Sequence, residues 1–348
     1  MVRRTPAVKS PDSSDSRRSS ASTVGGRRVM VPVGLERYGL VFLLAGLVIG
    51  FSLALPGIFP TLNDFRTIVE TQTVVLTLTI GLLFPLSAGD FDLSVSATLV
   101  LSAIVVALGV NDWHTGLALS ILIGLAVGLL VGAVNAILVV LVGLNGFIAT
   151  LATMTIIGSI ALGISNQTTV VLNNQALLTD LGRPVFSLPL CTYLGWAAAL
   201  IVWYLLEKAP FGRHLRVTGS AREAARLTGL PTRGLRISAF IICGAVAGIA
   251  ALFLLSTVGS ADPTSAGDYL LEPYAAAFLG TATIQLGRFN VVGALVAIYI
   301  VIVGSTGLEL LGVPAWSSQL FEGLVLLAGL VLARISSRQV QNVVGHAT

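Results

Sequence analysis

The chain has 348 residues, of which 55% are hydrophobic and only 10% are charged. Soluble domains carry about 25% charged residues, so a water-soluble fold of this length would lack the polar side chains to cover its surface. The composition therefore excludes an ordinary soluble protein and predicts an all-α, polytopic integral membrane protein. The net charge of +4 decides little by itself, whereas the positions of the basic residues are informative.

The start of the chain differs in composition from the rest. Residues 10–23 read SPDSSDSRRSSAST, which is rich in Ser and has no apolar periodicity. Such a segment cannot bury enough apolar surface to offset the entropy lost on ordering. We therefore expect a disordered cytoplasmic tail over residues 1–33, a transmembrane domain over residues 34–336 and a cytoplasmic C-terminal tail over residues 337–348.

A series of ten apolar spans follows the tail, and most are near the ~20 residues that a helix needs to cross a bilayer. We place them at residues 38–56, 66–88, 93–110, 115–142, 146–165, 188–206, 236–258, 270–287, 290–311 and 316–335. The pairs within 66–110 and 270–311 have almost no polar linker, so broken or re-entrant helices are an alternative there. In the fourth span, the spacing of Gly124, Gly128 and Gly132 predicts a close helix–helix contact.

The basic residues predict the orientation. Eight of the 20 Lys and Arg residues precede the first span, seven lie in the loop at residues 207–236, and two, Arg334 and Arg338, lie at or beyond the end of the last span. Cytoplasmic loops carry the excess of basic residues, and ten spans put both tails and this loop on one side of the membrane. We therefore expect that side to be the cytoplasm. The loops expected to face outward contain a single basic residue, Arg183.

The basic loop at residues 207–236 also contains a helix signal. Ser220 and Glu223 form the Ser-x-x-Glu pattern of a capping box, and Gly229 is typical of a helix end. We predict a short helix over residues 221–229 with Ser220 as its N-cap. One side of this helix carries small or apolar side chains and suits docking into a groove on another protein. That side is formed by Ala224, Ala225 and Leu227. The alternative is an ordinary basic loop that only follows the charge rule.

Several stretches resemble the ribose/xylose/galactoside-type permeases of bacterial ABC importers. Ala209-Pro-Phe-Gly-Arg-His-Leu215, followed by Glu223-Ala-Ala-Arg-Leu-Thr-Gly229, is similar to that family's cytoplasmic coupling segment. Gly89-Asp-Phe-Asp-Leu-Ser-Val95 is similar to its G-G-I-D-L-S-V-G motif, and Phe147-Ile-Ala-Thr-Leu-Ala-Thr-Met154 to its P-F-I-x-T-L-G-T-M motif. The segment from Ala261 to Gly312 parallels its last third.

The resemblance covers roughly residues 38–335 and includes departures from the family pattern. Asp90 replaces the second Gly of the first motif, and Glu309 replaces an Asn that the family often places before Leu-Leu-Gly. The remaining departures exchange small or turn-forming residues and are Ser96, Gly146 and Ser220. The core of the coupling motif is unchanged.

The resemblance implies a permease subunit that carries a pentose or hexose across the bacterial cytoplasmic membrane. It also implies a second permease subunit, identical or related, two ABC ATPase subunits and an extracytoplasmic sugar-binding protein. The residues it assigns to ATPase coupling are Gly212, Arg213, Glu223, Ala224, Ala225 and Gly229. We expect no nucleic-acid partner, and no cofactor in this chain, because ATP and Mg²⁺ would be bound by the partner ATPase.

Ionisable groups at membrane depth are functional candidates because their burial is costly. Asp90 and Asp92 lie between the second and third spans, near the expected cytoplasmic face, and Asp92 suits an N-cap for the following helix. Gate structure is the main interpretation for this pair, and direct substrate contact is the alternative.

Four more polar residues complete the candidate gate and translocation pathway. Glu272 and Glu309 lie near the outer ends of their spans, where they either line the entrance or are solvated at the interface. Asn135 and Gln285 are uncharged, and hydrogen bonding between helices is the ordinary role of such residues. Hydrogen bonding to sugar hydroxyls is the alternative for both.

Several classes of function lack their motifs in this sequence. A P-loop needs Gly-Lys-[Ser/Thr], but Lys9 follows Val8 and Lys208 follows Glu207. We therefore expect no ATPase site and no enzyme activity in this chain. An ABC permease for branched-chain amino acids or nucleosides stays open as an alternative. An ion-coupled secondary transporter is a further alternative, although it would need ionisable groups near the bilayer midplane.

Overall fold

The computed structural model describes residues 33–59, 61–173, 180–186, 188–314 and 316–345. Apart from Val33, the predicted N-terminal tail at residues 1–33 lies outside the described residues. The described chain is built almost entirely from α-helices, which confirms the all-α fold class.

The α-helices follow one another with short connections. Their bounds are α1 Val33–Ala54, α2 Leu62–Ser87, α3 Val95–Asn111, α4 Leu117–Ala136, α5 Gly146–Ile164, α6 Leu190–Trp203, α7 Pro210–Ser220, α8 Arg222–Leu227, α9 Thr232–Val258, α10 Leu271–Gly280, α11 Val291–Leu310 and α12 Trp316–Gly345. A π-helical turn extends α4 over Ile137–Leu141, and another extends α6 over Tyr204–Lys208. The last helix continues beyond the predicted end of its span at residue 335.

Four two-residue strands form two small antiparallel pairs in the loops. Strand β1, Val170–Val171, pairs with β4, Ser260–Ala261, and Val170 lies opposite Ala261. Strand β2, Pro184–Val185, pairs with β3, Leu188–Pro189. The β1–β4 pair connects two of the loops that the charge pattern predicts to face outward.

Within the described ranges, six helices are long and apolar enough to cross a membrane. They are Asn63–Ser87, Leu117–Leu141, Gly146–Ile164, Leu190–Lys208, Thr232–Val258 and Val291–Leu310. Shorter apolar helical stretches occur at Tyr38–Ala54, Val95–Asn111 and Trp316–Leu332. The chain is therefore a polytopic membrane protein, and nine of the ten predicted spans coincide with these helices.

The predicted eighth span, residues 270–287, is wrong in length. Helix α10 has 10 residues and ends at Gly280, so it is about 15 Å long. The hydrocarbon core of a bilayer is about 30 Å thick. Helix α10 is therefore a half-helix, and the broken-helix alternative describes this region correctly.

The side chain of Asn290 explains why α10 stops. Asn290 is fully buried. Its Nδ2 donates to the carbonyl oxygens of Gly280 at 3.0 Å and Thr283 at 3.3 Å. Its Oδ1 accepts from the backbone N–H of Gly293 at 2.6 Å. Backbone groups buried away from water must find partners inside the protein. Asn290 thus satisfies the turn after α10 and caps the first turn of α11.

Helix α3 forms the centre of the bundle. Every residue from Val95 to Gly109 is buried, and the helix packs against α4, α5 and α9. A helix that is apolar on all sides belongs inside a larger assembly of helices. The segments that enter and leave α3 are therefore fixed by protein contacts on several sides.

The small-residue repeat of α4 makes the predicted close contact. A Cβ added at Gly132 would lie 3.0 Å from the Cα of Ile241, and one added at Gly128 would lie 3.2 Å from the backbone N of Gly248, both on α9. At Gly124 a Cβ would instead lie 3.2 Å from the carbonyl oxygen of Ser102 on α3. Helices α3 and α9 therefore pack directly against the backbone of α4.

This contact predicts a difference between two glycine substitutions. Gly128→Val forces α4 and α9 apart and is expected to destabilise the fold by about 1–3 kcal/mol, as overpacking of a core does. Gly158→Val on α5 is the matched control, because nothing lies within 4 Å of its added Cβ. Thermal unfolding in detergent measures both variants. Equal unfolding temperatures would contradict the α4–α9 contact.

Candidate functional site

The predicted gate carboxylates lie in the turn between α2 and α3, residues 88–94, which we call the α2–α3 turn. Gly89 has a φ of +77°, a left-handed conformation that suits glycine. The backbone N–H of Asp90 donates to the carbonyl oxygen of Pro85 at 2.9 Å, which folds the turn back onto the end of α2. The turn thereby places Asp90 and Asp92 in two different surroundings.

Asp90 forms a buried ion pair with Arg236 of α9. Nε of Arg236 lies 2.6 Å from Oδ2, and Nη2 lies 2.8 Å from Oδ1, so the contact is bidentate. The exposed fractions of the side chains are 7% for Asp90 and 10% for Arg236. Removing one partner of such a pair costs about 3–5 kcal/mol, because it leaves an uncompensated buried charge.

A second cation, Arg222, contacts the same carboxylate from the first residue of α8. Its Nη2 lies 3.3 Å from Oδ1 of Asp90, and 43% of its side chain is exposed. Water screens such a pair, which contributes at most about 1 kcal/mol. Asp90, Arg222 and Arg236 together form what we call the Asp90 cluster. It brings a predicted gate residue together with the predicted coupling helix.

A backbone contact joins the same two regions independently. A Cβ added at Gly89 would lie 3.1 Å from the carbonyl oxygen of Gly219, near the end of α7. A Cβ added at Gly219 would meet the carbonyl oxygen of Ser87 and lie 2.9 Å from the backbone N of Gly89. The end of α7 therefore touches the α2–α3 turn with no side chain between them.

The predicted coupling residues lie on α7, α8 and the turn after them. Gly212 is buried, and a Cβ there would meet the backbone of Leu206, so the glycine lets α7 fold against the π-helical turn that follows α6. Gly229 has a φ of +84° and ends α8 as predicted. Arg213, Glu223 and Ala224 are exposed, whereas Ala225 is buried.

The predicted capping box is wrong. Ser220 is the last residue of α7, and its Oγ donates to the carbonyl oxygen of Val217 at 3.2 Å. Ala221, with a φ of −150°, separates the two helices, and no side chain caps α8. The Glu223 side chain is 79% exposed and faces Arg226 at 4.0 Å. The coupling helix therefore has six residues, Arg222–Leu227, instead of the predicted 221–229.

Asp92 lies in a buried polar network on the other side of the turn. Its Oδ1 accepts from the backbone N–H of Ser94 at 3.1 Å, from Ser94 Oγ at 2.7 Å and from Asn135 Nδ2 at 3.2 Å. Helix α3 begins at Val95 with Ser94 at the cap position, so the prediction that Asp92 is the N-cap is wrong by two residues. Asn135 of α4 thus bonds to the turn before α3, and its Nδ2 also donates to Ser94 Oγ at 2.7 Å.

The half-helix α10 contacts the turn through two aromatic residues. The hydroxyl of Tyr274 accepts from the backbone N–H of Asp92 at 3.1 Å. Phe91 stacks on Tyr274 and Phe278, with ring centroids 6.5 Å and 6.2 Å apart. No motif in the sequence indicated these rings, and the i, i+4 spacing of Tyr274 and Phe278 was the only available signal. The α2–α3 turn therefore contacts both the coupling helix and α10.

The remaining candidates lie elsewhere. Glu272 lies in the first turn of α10, and Glu309 accepts from Ser318 Oγ at 3.4 Å. Gln285 donates to Oε2 of Glu207 at 3.2 Å in the turn after α10. These three candidates do not join the Asp90 cluster. Among the residues that the structure describes, no group of three or more His, Cys, Asp or Glu side chains is placed to hold a metal ion.

The contact between α7 and the α2–α3 turn predicts a second glycine effect. Gly219→Ala places a methyl group against the backbone of α2 and the turn, so we expect lower thermal stability and a change of about 1–3 kcal/mol. Gly234→Ala is the matched control, because nothing lies within 4 Å of its added Cβ. Differential scanning fluorimetry of the purified variants measures the change. An unfolding temperature equal to that of the control would refute the contact.

Comparisons with known proteins identify relatives that span nearly the whole chain. The ribose import permease protein RbsC of Escherichia coli K12 is 27% identical over 319 residues, which cover 90% of this chain and 98% of the relative. RbsC of Bacillus subtilis 168 is 30% identical, over 87% of this chain and 94% of the relative. The L-arabinose transport system permease protein AraH of Escherichia coli K12 is 29% identical, over 87% of this chain and 92% of the relative. No solved structure matches the chain.

A family profile also matches the chain over residues 65–330, which include the α2–α3 turn, the coupling helix and α10. Its description is branched-chain amino acid transport system / permease component. The match covers more than half of the chain, and the similarity to permeases read from the motifs is confirmed. The chain therefore belongs to this family of transport-system permease components and is a multi-pass membrane protein.

Proposed function

We propose that this chain is the transmembrane permease subunit of an ABC importer and that it carries a monosaccharide. The observation that carries the proposal is similarity over nearly the full length to relatives named for ribose and L-arabinose. Two of the permease-type motifs also contact each other, since one forms the α2–α3 turn, another forms α8, and Arg222 bonds to Asp90.

The exposed face of α8 supports an ATPase partner. The Leu227 side chain is 85% exposed, beside Glu223 and Arg226 that are 79% and 70% exposed. A six-residue helix gains little stability alone, so it depends on its contacts with the rest of the fold. An exposed apolar side chain framed by charges suits docking into a groove on another protein. ATP and Mg²⁺ would be bound by that partner, because this chain has no P-loop.

The basic residues and the importer proposal together suggest an orientation for the chain and a set of partner subunits. The seven basic residues around α7 and α8 favour a cytoplasmic position for the coupling helix, with both termini on the same side. Two permease subunits, two ATPase subunits and an extracytoplasmic binding protein complete the importer. The domain division proposed here keeps a permease domain over residues 34–336 between two cytoplasmic tails.

The substrate is a pentose or hexose in this proposal. A branched-chain amino acid permease is the second candidate, and the description of the matched family favours it. The sugar permeases among the relatives match nearly full length, which favours a sugar. The amide nitrogens of Asn135 and Gln285 donate to protein groups, whereas the buried Oδ1 of Asn135 has no partner among the described residues.

The test is uptake by proteoliposomes that contain the chain with the ATPase and binding protein encoded beside it. Radiolabelled ribose, L-arabinose, D-allose and leucine are offered separately. We expect uptake of one sugar that requires both ATP and the binding protein. Uptake of leucine alone would support the amino acid candidate. Uptake without ATP that collapses with an uncoupler would identify an ion-coupled transporter instead.

Two substitutions test the role of α8. Glu223→Lys reverses an exposed charge on the docking face, and Gly229→Asp places a side chain at a φ of +84°. We expect normal membrane insertion but a loss of uptake of about tenfold or more, because like charges across an interface are costly. The matched control is Asp112→Lys, the same charge change at an exposed position at the opposite end of α3. Normal uptake and normal stimulated ATP hydrolysis in both α8 variants would refute the docking assignment.

A further inference from the structure

The two cations of the Asp90 cluster hold the carboxylate unequally. Arg236 makes two short hydrogen bonds in buried surroundings, whereas Arg222 makes one at 3.3 Å and is 43% exposed. Short, bidentate and desolvated contacts are the stronger ones. The contact to Arg222 is therefore the one that breaks first when α8 moves.

Charge balance makes this release inexpensive. When Arg222 leaves, Asp90 and Arg236 stay as a neutral buried pair, so no uncompensated charge stays behind. Arg222, Arg236 and Asp90 also line a cavity of about 400 Å³ next to the α2–α3 turn. The Arg222 side chain therefore has both solvent and open space into which it can swing.

A continuous set of contacts leads from the cluster to α10. Asp90 and Asp92 are two residues apart in one turn, whose amides at Asp90, Asp92 and Leu93 are all hydrogen-bonded. The amide of Asp92 bonds to Tyr274, and the ring of Phe91 stacks on Phe278. A displacement of the turn therefore changes two contacts of α10 directly.

The Asp90 carboxylate is present in this chain but not in the permease motif that residues 89–95 resemble. Asp90 occupies a position where the similar permease motif has Gly, which has no side chain to contact α8 or α9. Arg222 and Arg226 lie four residues apart on α8, yet only Arg222 reaches the turn, because Arg226 faces solvent and Glu223. The two arginines thus form a natural comparison.

We propose that Asp90 is a positioning residue for transport, held permanently by Arg236 and reversibly by Arg222, through which movement of α8 reaches the α2–α3 turn and α10. This proposal rests on the proposed function in one respect, namely that a partner ATPase moves α8. In one state Arg222 bonds to Asp90 and the turn is fixed. In the other state Arg222 is released, and the turn and α10 are free to shift.

Hydrogen–deuterium exchange of the full chain in nanodiscs tests the connection without any partner. We expect Arg222→Gln to accelerate amide exchange in residues 89–94 and 271–280 by roughly fivefold, since these contacts then open more often. Arg226→Gln, on the same helix, is the matched control and is expected to leave both segments unchanged. Arg222→Lys retains a cation and is expected to restore most of the protection. Equal exchange in the Arg222→Gln and Arg226→Gln variants would overturn the proposal.

A second measurement separates positioning from simple stability. In the assembled importer, Arg222→Gln is expected to raise the ATP hydrolysed per sugar imported about threefold or more. Arg233→Gln, at an exposed position on α9 outside the docking face, is the control and is expected to leave this ratio unchanged. In a chain that carries Asp90→Gly and Arg236→Met, the buried ion pair of the Asp90 cluster is gone, and adding Arg222→Gln is expected to change nothing further. A further change of the same size in that background would overturn the proposal.

The two measurements also distinguish failure of the inference from failure of the function. If the unaltered importer carries no sugar, the proposed function is wrong, and the exchange experiment still decides the connection from Arg222 to α10. If the unaltered importer works and Arg222→Gln behaves like its control in both measurements, the proposed function holds and the role of Asp90 is refuted.

Discussion

A carboxylate buried in a membrane domain must be neutralised from within the protein, and this requirement organises the end of the fold that contains α7 and α8. Asp90 is 7% exposed, so water stabilises its charge only weakly. Arg236 supplies the compensating charge from α9, and Arg222 adds a second contact from α8. The segment that is expected to meet the ATPase is therefore attached to the transmembrane bundle by electrostatics as well as by backbone packing at Gly219.

The same requirement applies to backbone groups and explains the short helix α10. A chain that leaves a helix inside the bundle exposes carbonyl and N–H groups that lipid cannot satisfy. Asn290 meets this need with one buried side chain that bonds to groups on both sides of the turn. A half-helix held in this way can contact the α2–α3 turn through Tyr274 and Phe278 without crossing the bilayer itself.

Composition and periodicity predicted the fold class, nine of the spans and the position of the coupling helix, because each of these depends on local sequence. The errors concern contacts between distant residues. Asp90 and Arg236 are separated by 146 positions, so no local pattern indicates their pairing. The capping box failed because α7 extends through Ser220, which uses its hydroxyl within α7. The length of α10 depends on Asn290, which follows α10 by ten positions and lies beyond any local helix-end signal.

The central claim is that the basic coupling helix faces the cytoplasm, where an ATPase can reach it. Leu227 on α8 is 85% exposed, and Phe186 in the loop predicted to face outward is 93% exposed. The native thiols of Cys191 and Cys243 are buried, so they give little background labelling. The most direct measurement labels Leu227→Cys and Phe186→Cys with a membrane-impermeant maleimide in intact cells and in inside-out vesicles. The account predicts that Phe186→Cys reacts only in cells and Leu227→Cys only in vesicles; labelling of Leu227→Cys in intact cells would contradict it.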